Sequence, residues 1–188
     1  VRLATTLEEA LDDVSGAFEC YQEVVFQQDD NEEAISELWR LTESGVRRAE
    51  GVEILEPIYA RNERHGELRD LLEAGLMDLT DPADQGDQLR RIAELCEGPL
   101  EDPASAMTWY GKALQLDPED EQSLGRLDDL ATESGSWQTY TDALLEATEG
   151  AEAERKITLW LKSAVATQTH LENKEDTELL FLQILSVL

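Results

Sequence analysis

The chain repeats itself, and a repeat constrains the fold more tightly than composition does, because each copy must bury its apolar face against the next. Slid by 89 residues, Arg2-Leu-Ala-Thr-Thr-Leu-Glu-Glu-Ala-Leu-Asp-Asp13 falls on Arg91-Ile-Ala-Glu-Leu-Cys-Glu-Gly-Pro-Leu-Glu-Asp102. The match runs without a gap to Leu41 on Leu130. A further slide of 71 residues brings up a third copy, with Leu100-Glu-Asp102 on Leu171-Glu-Asn173. The copies lie near 2–45, 91–135 and 162–188 of one continuous segment, 1–188.

The copies agree where helix packing needs agreement. Ala4, Ala93 and Ala164 put a small residue where two helices cross, and Leu11, Leu100 and Leu171 are expected to close the first helix. Asp13, Asp102 and Asn173 are N-cap residues whose side-chain oxygens can accept from the orphan amides of the next helix. Pro103 follows its cap at the first helical position, where a missing N–H costs nothing. Ala17, Ala106 and Thr177, then Tyr21, Tyr110 and Phe181, then Val24, Ala113 and Ile184 recur at spacings of four and three, one helical face.

A second helix is repeated too. Ile35, Leu38 and Leu41 match Leu124, Leu127 and Leu130, and each run is followed by Thr-Glu-Ser-Gly, ending at Gly45 and Gly135 as left-handed stops. After Gly66 and Gly135 come Leu68 and Trp137, then Leu71 and Tyr140. The first half carries one additional helix, about 46–65, which Pro57 is expected to kink or split. The coarse reading is eleven helices: 2–11, 14–28, 32–43, 47–62, 67–79, 84–97, 103–116, 120–133, 137–148, 152–170 and 174–187. No segment alternates with period two, so the expected fold class is all-α.

At Ala106-xxx-Tyr110-xx-Ala113-xxxx-Pro118 the chain resembles the second helix and stop of a tetratricopeptide repeat, and Leu124, Leu127, Ala131 and Gly135 resemble the next repeat's first helix and turn. Asp128 stands where that family usually has a small residue. The stretch Gly51 to Leu76 looks like the irregular units of large bacterial proteins rich in such repeats. The resemblance implies an α-solenoid, a right-handed superhelix of antiparallel helix pairs whose first helices line a concave groove for a peptide. On that register the groove positions are Asp87, Arg90 and Glu94 of one helix and Gln122, Gly125, Asp129 and Glu133 of the next. Only Arg90 resembles the cation of a carboxylate clamp. A basic or polar segment therefore fits the groove better than a carboxylate tail, with Asp87, Arg90, Glu94, Gln122, Asp129 and Glu133 as candidate partner-binding residues.

Charge narrows the partner classes. With 43 acidic and 15 basic side chains the formal charge is −28, which repels nucleic acid phosphates and anionic membrane surfaces. Solubility, including the solvated surface of a protein in high salt, is the favoured meaning of that excess over recruitment of a basic partner. The excess is uneven: eight of the 15 basic residues lie between Arg40 and Arg91, whereas Ile92 to Gly150 holds only Lys112 and Arg126 against 14 acids. The longest apolar stretch, Leu179 to Leu188, is broken by Gln183 and too short to span a bilayer. The first residues, Val-Arg-Leu-Ala, carry no secretory leader, which favours the cytoplasm, and both ends read as cut from a longer chain.

Enzyme, metal and cofactor readings fail on inventory. His65 and His170 sit in no ligand motif, and Gly111-Lys112 lacks the rest of a phosphate loop. The acidic turns Asp29–Glu33 and Asp117–Glu121 lack the spacing of a calcium loop and read as helix-start carboxylates. Cys20 and Cys96 form no disulfide framework or zinc site and read as packed side chains, and Trp39, Trp109, Trp137 and Trp160 read as core or inter-repeat wedges. The expectation is a non-enzymatic scaffold that holds a protein or peptide segment in a concave groove. The alternative is a structural spacer of a larger repeat protein with no groove ligand.

Overall fold

A computed structural model describes residues 1–187, the side chains of Glu9 and Ala10 excepted; Leu188, the end of the third copy, lies outside the described residues. Among the described residues the regular structure is entirely helical: α1 (Arg2–Leu11), α2 (Val14–Gln27), α3 (Glu32–Glu43), α4 (Arg48–Arg61), α5 (His65–Gly75), α6 (Pro82–Glu97), α7 (Pro103–Leu116), α8 (Glu121–Ser134), α9 (Trp137–Ala147), α10 (Ala153–Ala166) and α11 (Lys174–Val187). A 3-10 turn, Leu76–Asp78, follows α5, and a π turn, Thr167–Leu171, joins α10 to α11.

The chain divides into two compact units, Val1–Leu79 and Thr80–Leu188. Within each, every helix packs on its successor, and in the second unit α7 also packs on α9, the arrangement of an α-solenoid. In the first unit Phe18, Tyr21, Ile35, Leu38, Leu55 and Tyr59 fill the core around the fully buried Ala4, Ala17 and Ala34. In the second, Ile92, Met107, Tyr110, Leu114, Leu127 and Leu144 do so around Ala93, Ala106 and Ala131. The small residues are needed because the helices cross closely. A Cβ built on Gly111 of α7 would meet the Ala143 Cβ of α9 at 3.0 Å.

One turn recurs in the backbone at equivalent positions of the three copies. Asp12, Glu101 and Glu172, one residue per copy, are left-handed with φ of 55°, 51° and 53°. The next amide in each copy donates back to the carbonyl of Leu7 (2.9 Å), Cys96 (2.8 Å) or Thr167 (3.3 Å). That same next residue then caps the following helix: Asp13 accepts from Gly16 N, Asp102 from Ser105 N and Asn173 from Asp176 N. The reversal thus takes two residues, a left-handed stop joined to an N-cap, and it places a carboxylate where glycine would be cheapest. Gly45 (φ 96°) and Gly135 (φ 73°) supply the left-handed stops after α3 and α8.

Several expectations are corrected by local chemistry. α4 runs unbroken through Pro57 instead of splitting. α6 starts at Pro82, two residues early, because Asp81 caps it by accepting from Ala83 N. The expected helix 152–170 gives way to the π turn at Thr167. Leu100 lies beyond the end of α6 and Leu11 is 66% exposed, so these leucines belong to the turn more than to the core. Of the four tryptophans only Trp109 is buried; Trp137 is half-buried and stacks on His170 with ring centroids 3.7 Å apart. Cys96 is buried and Cys20 only partly so. Phe181 departs most from its copies: it is 40% exposed where Tyr21 and Tyr110 are 2% and 1% exposed.

Candidate functional site

In the second unit α6, α7 and α8 line an open surface cavity of about 340 Å³. α7 presents Tyr110 to it because the three-and-four spacing puts that ring on the inward face, with only the phenol end reaching the cavity. The Tyr110 hydroxyl donates to Glu97 of α6 at 3.0 Å. Arg126 of α8 pairs with the same Glu97 and also with Asp129, at 2.7 Å. Burial, then the Glu97 charge and hydrogen bond, push the Tyr110 phenol far above its ordinary range, so it stays a donor. Glu94 and Gln122 complete the walls.

The first unit builds the same cavity, about 420 Å³, from the positions 89 residues earlier. Thr5, Glu8, Tyr21, Glu33 and Glu37 stand where Glu94, Glu97, Tyr110, Gln122 and Arg126 stand in the second. The central acid is kept, since Glu8 matches Glu97, but the cation is exchanged. Arg40 reaches Glu8 at 2.6 Å and also pairs with Glu37. Thus the i,i+3 pair Glu37–Arg40 is reversed into Arg126–Asp129, and either order puts a guanidinium on the acid of the preceding first helix.

A third set repeats the theme with other residues. Tyr140 of α9 donates to Asp128 of α8 at 2.5 Å, and Lys162 of α10 pairs with Asp128 at 2.8 Å. Asp128 thereby joins three successive helices through one carboxylate. Burial, then Asp128, raise the Tyr140 phenol far above its ordinary range.

The residues named from sequence are dispersed by this geometry. Glu94 and Gln122 line the second-unit cavity. Asp129, exposed, is held by Arg126 beside it. Arg90 donates to Asp120 of α8 at 2.8 Å and pairs with Asp87, so its guanidinium is engaged inside the unit. Glu133 is exposed on the last turn of α8, outside the cavity lining. The residues that sequence reasoning passed over are Glu97, Arg126 and the Tyr110 hydroxyl. Their signal was present in the copies, where Glu8 and Tyr21 recur 89 residues later, but the tyrosines read only as packing.

These walls can hydrogen-bond and pair electrostatically with a chain segment. Among the described residues no group of three or more His, Cys, Asp or Glu could hold a metal ion, and no helix is long and apolar enough to cross a membrane. No protein-family model matches the chain, and no curated protein is found to match it. Among solved structures it is similar to YrrB, described as a TPR protein with an unusual peptide-binding site. The likeness is 15% in sequence identity with a TM-score of 0.41, over 98% of this chain and 91% of that one.

Proposed function

We propose that the chain is a protein-interaction scaffold whose repeated cavities hold a polar or basic segment of a partner. The observation that carries this reading is the duplication itself. Both units build a cavity from equivalent positions, with an acid and a tyrosine in common, although the neighbouring side chains are exchanged. A packing requirement alone would account for the buried tyrosine ring. It would not account for an open cavity kept beside the ring in both units. The carboxylates give the walls their preference for cations, and the internal arginines lower that preference without cancelling it.

The test is binding of immobilised random peptides, sorted into basic, neutral and acidic pools. Glu94→Arg with Gln122→Arg alters the second-unit cavity. Thr108→Arg with Gln115→Arg puts two cations on exposed positions of α7. Selective loss of basic-pool binding in the cavity variant supports the scaffold. Absence of binding by any pool, or equal loss in both variants, leaves the chain as a spacer.

A further inference from the structure

α7 and α9 pack flank to flank, but the next step along the second unit is different. The π turn Thr167–Leu171 packs against α9, α10 and α11, and Trp137 of α9 stacks on its His170. With that turn wedged among the three helices, α9 and α11 leave between them a groove of about 460 Å³. Its base is apolar: Leu145 of α9, Trp160 of α10, Leu171 of the turn and Leu180 of α11. Leu179 is 53% exposed, an apolar side chain held at the edge of the groove without cover.

The charged residues of the groove are Asp142, Glu149 and Asp176, all exposed, with no lysine or arginine in the lining. Asp142 accepts from Gln138 at 2.8 Å and Asp176 from Asn173 at 2.5 Å. Among the described residues none of the three pairs with a cation. In the repeated cavities, by contrast, the central acids Glu8 and Glu97 each have an arginine, and Asp128, outside those cavities, has Lys162. A groove with an apolar base and three carboxylates that lack internal counter-ions is complementary to a ligand that is apolar on one side and cationic along the other.

We propose that the α9–α11 groove docks a short amphipathic helix of a partner protein, its leucine-type side chains on Leu145, Trp160 and Leu180 and its lysines or arginines against Asp142, Glu149 and Asp176. From Gln138 to Ala147 the groove wall follows α9 for about two and a half turns, roughly 14 Å at 1.5 Å per residue, and Thr148 and Glu149 continue it past the helix end, a length suited to helix-in-groove recognition. Charge complementarity selects the basic helix over an acidic one and sets the rate of encounter. The site is independent of the repeated cavities, shares no residue with them, and stands or falls separately.

The experiment uses the 188-residue chain and a labelled Leu/Lys peptide of about three helical turns, with anisotropy read at about 150 mM salt, where screening confines charge effects to about 8 Å. A Leu/Glu twin and a scrambled Leu/Lys peptide serve as controls. Saturable binding of the periodic Leu/Lys peptide alone is expected. It should weaken about tenfold or more in the triple variant Asp142→Asn, Glu149→Gln, Asp176→Asn, and in Leu179→Glu, whose exposed position tolerates the change. The triple variant Glu23→Gln, Asp30→Asn, Glu43→Gln, which removes the same charge elsewhere, should bind like the parent. Four results would overturn the proposal: no saturable binding, equal binding of the scrambled peptide, equal weakening by the two triple variants, or loss confined to Glu94→Arg with Gln122→Arg.

Discussion

Arg90 on α6 donates to Asp120, the N-cap of α8, at 2.8 Å. Asp120 is 8% exposed, and it also accepts from Ser123 Oγ at 2.5 Å and from the amides of Gln122 and Ser123 at 3.1 Å. One carboxylate thereby starts a helix and ties it to the first helix of the preceding pair.

Asp120→Ala should destabilise the second unit by about 2–3 kcal/mol, the sum of a lost cap and a broken, mostly buried ion pair. The partial exposure of Arg90 trims the ion-pair share. Asp120→Asn, which keeps a capping oxygen, should cost about 1 kcal/mol. Chemical denaturation of the three proteins at neutral pH measures both. Equal costs for the two substitutions would mean that the charge on Asp120 contributes everything and the cap nothing.

The same carboxyl makes a pH prediction. Desolvation pushes the Asp120 pKa upward, but the Ser123 hydroxyl and amide and the Arg90 guanidinium outweigh it and hold the group below its ordinary 3.8. A depressed carboxyl adds stability that is complete above the unfolded value and is lost as pH falls through the native one. The gap in melting temperature between the parent and Asp120→Asn should therefore be flat from about pH 5 to pH 8 and close below about pH 4. A gap that persists undiminished at acid pH would show that the charge is not its source.

Tyr110→Ala should cost about 3 kcal/mol or more, as a large aromatic removed from a packed core. Tyr110→Phe, losing only the bond to Glu97, should cost about 1 kcal/mol. At the equivalent position of the third copy, Phe181→Ala should cost about 1–2 kcal/mol, because the ring is 40% exposed and loses less buried area. Urea titrations of the three variants establish the order. A Phe181 cost equal to that of Tyr110 would contradict the difference in burial.

Two glycines should respond in opposite directions. A Cβ on Gly51 of α4 would clash with the Thr42 side chain of α3, so Gly51→Ala should cost about 1–3 kcal/mol by overpacking. On Gly125, in the middle of α8, a Cβ meets nothing within 4 Å. Gly125→Ala should add about 0.5–1 kcal/mol through helix propensity alone. Thermal melts of both variants decide the signs.

The fold was legible where one residue's local chemistry suffices. Asp13, Asp102 and Asn173 were readable as caps because capping is settled within three residues, and all three accept the bond. The early start of α6 was missed although Asp81-Pro82 is itself a cap followed by a proline at the first helical position. The left-handed turns at Asp12, Glu101 and Glu172 were not legible, since no glycine marks them and a six-residue hydrogen bond sustains them. The cavities were half legible: Glu94 and Gln122 came from register, whereas the link from Tyr110 through Glu97 to Arg126 needed three helices in place.

The amino-acid order by itself determined the copies, the helices, their caps and the apolar faces that meet, because each depends on spacing within one or two turns of chain. Tertiary structure alone decided which charges are satisfied. Arg90 resembled a clamp cation in the sequence and is paired across helices, while Asp142, Glu149 and Asp176, which no motif singled out, share one groove. A side chain's counter-ion lies about 30 residues away in these pairs, from Glu97 to Arg126 or from Asp128 to Lys162, and only the packing of successive helices brings it within 3 Å.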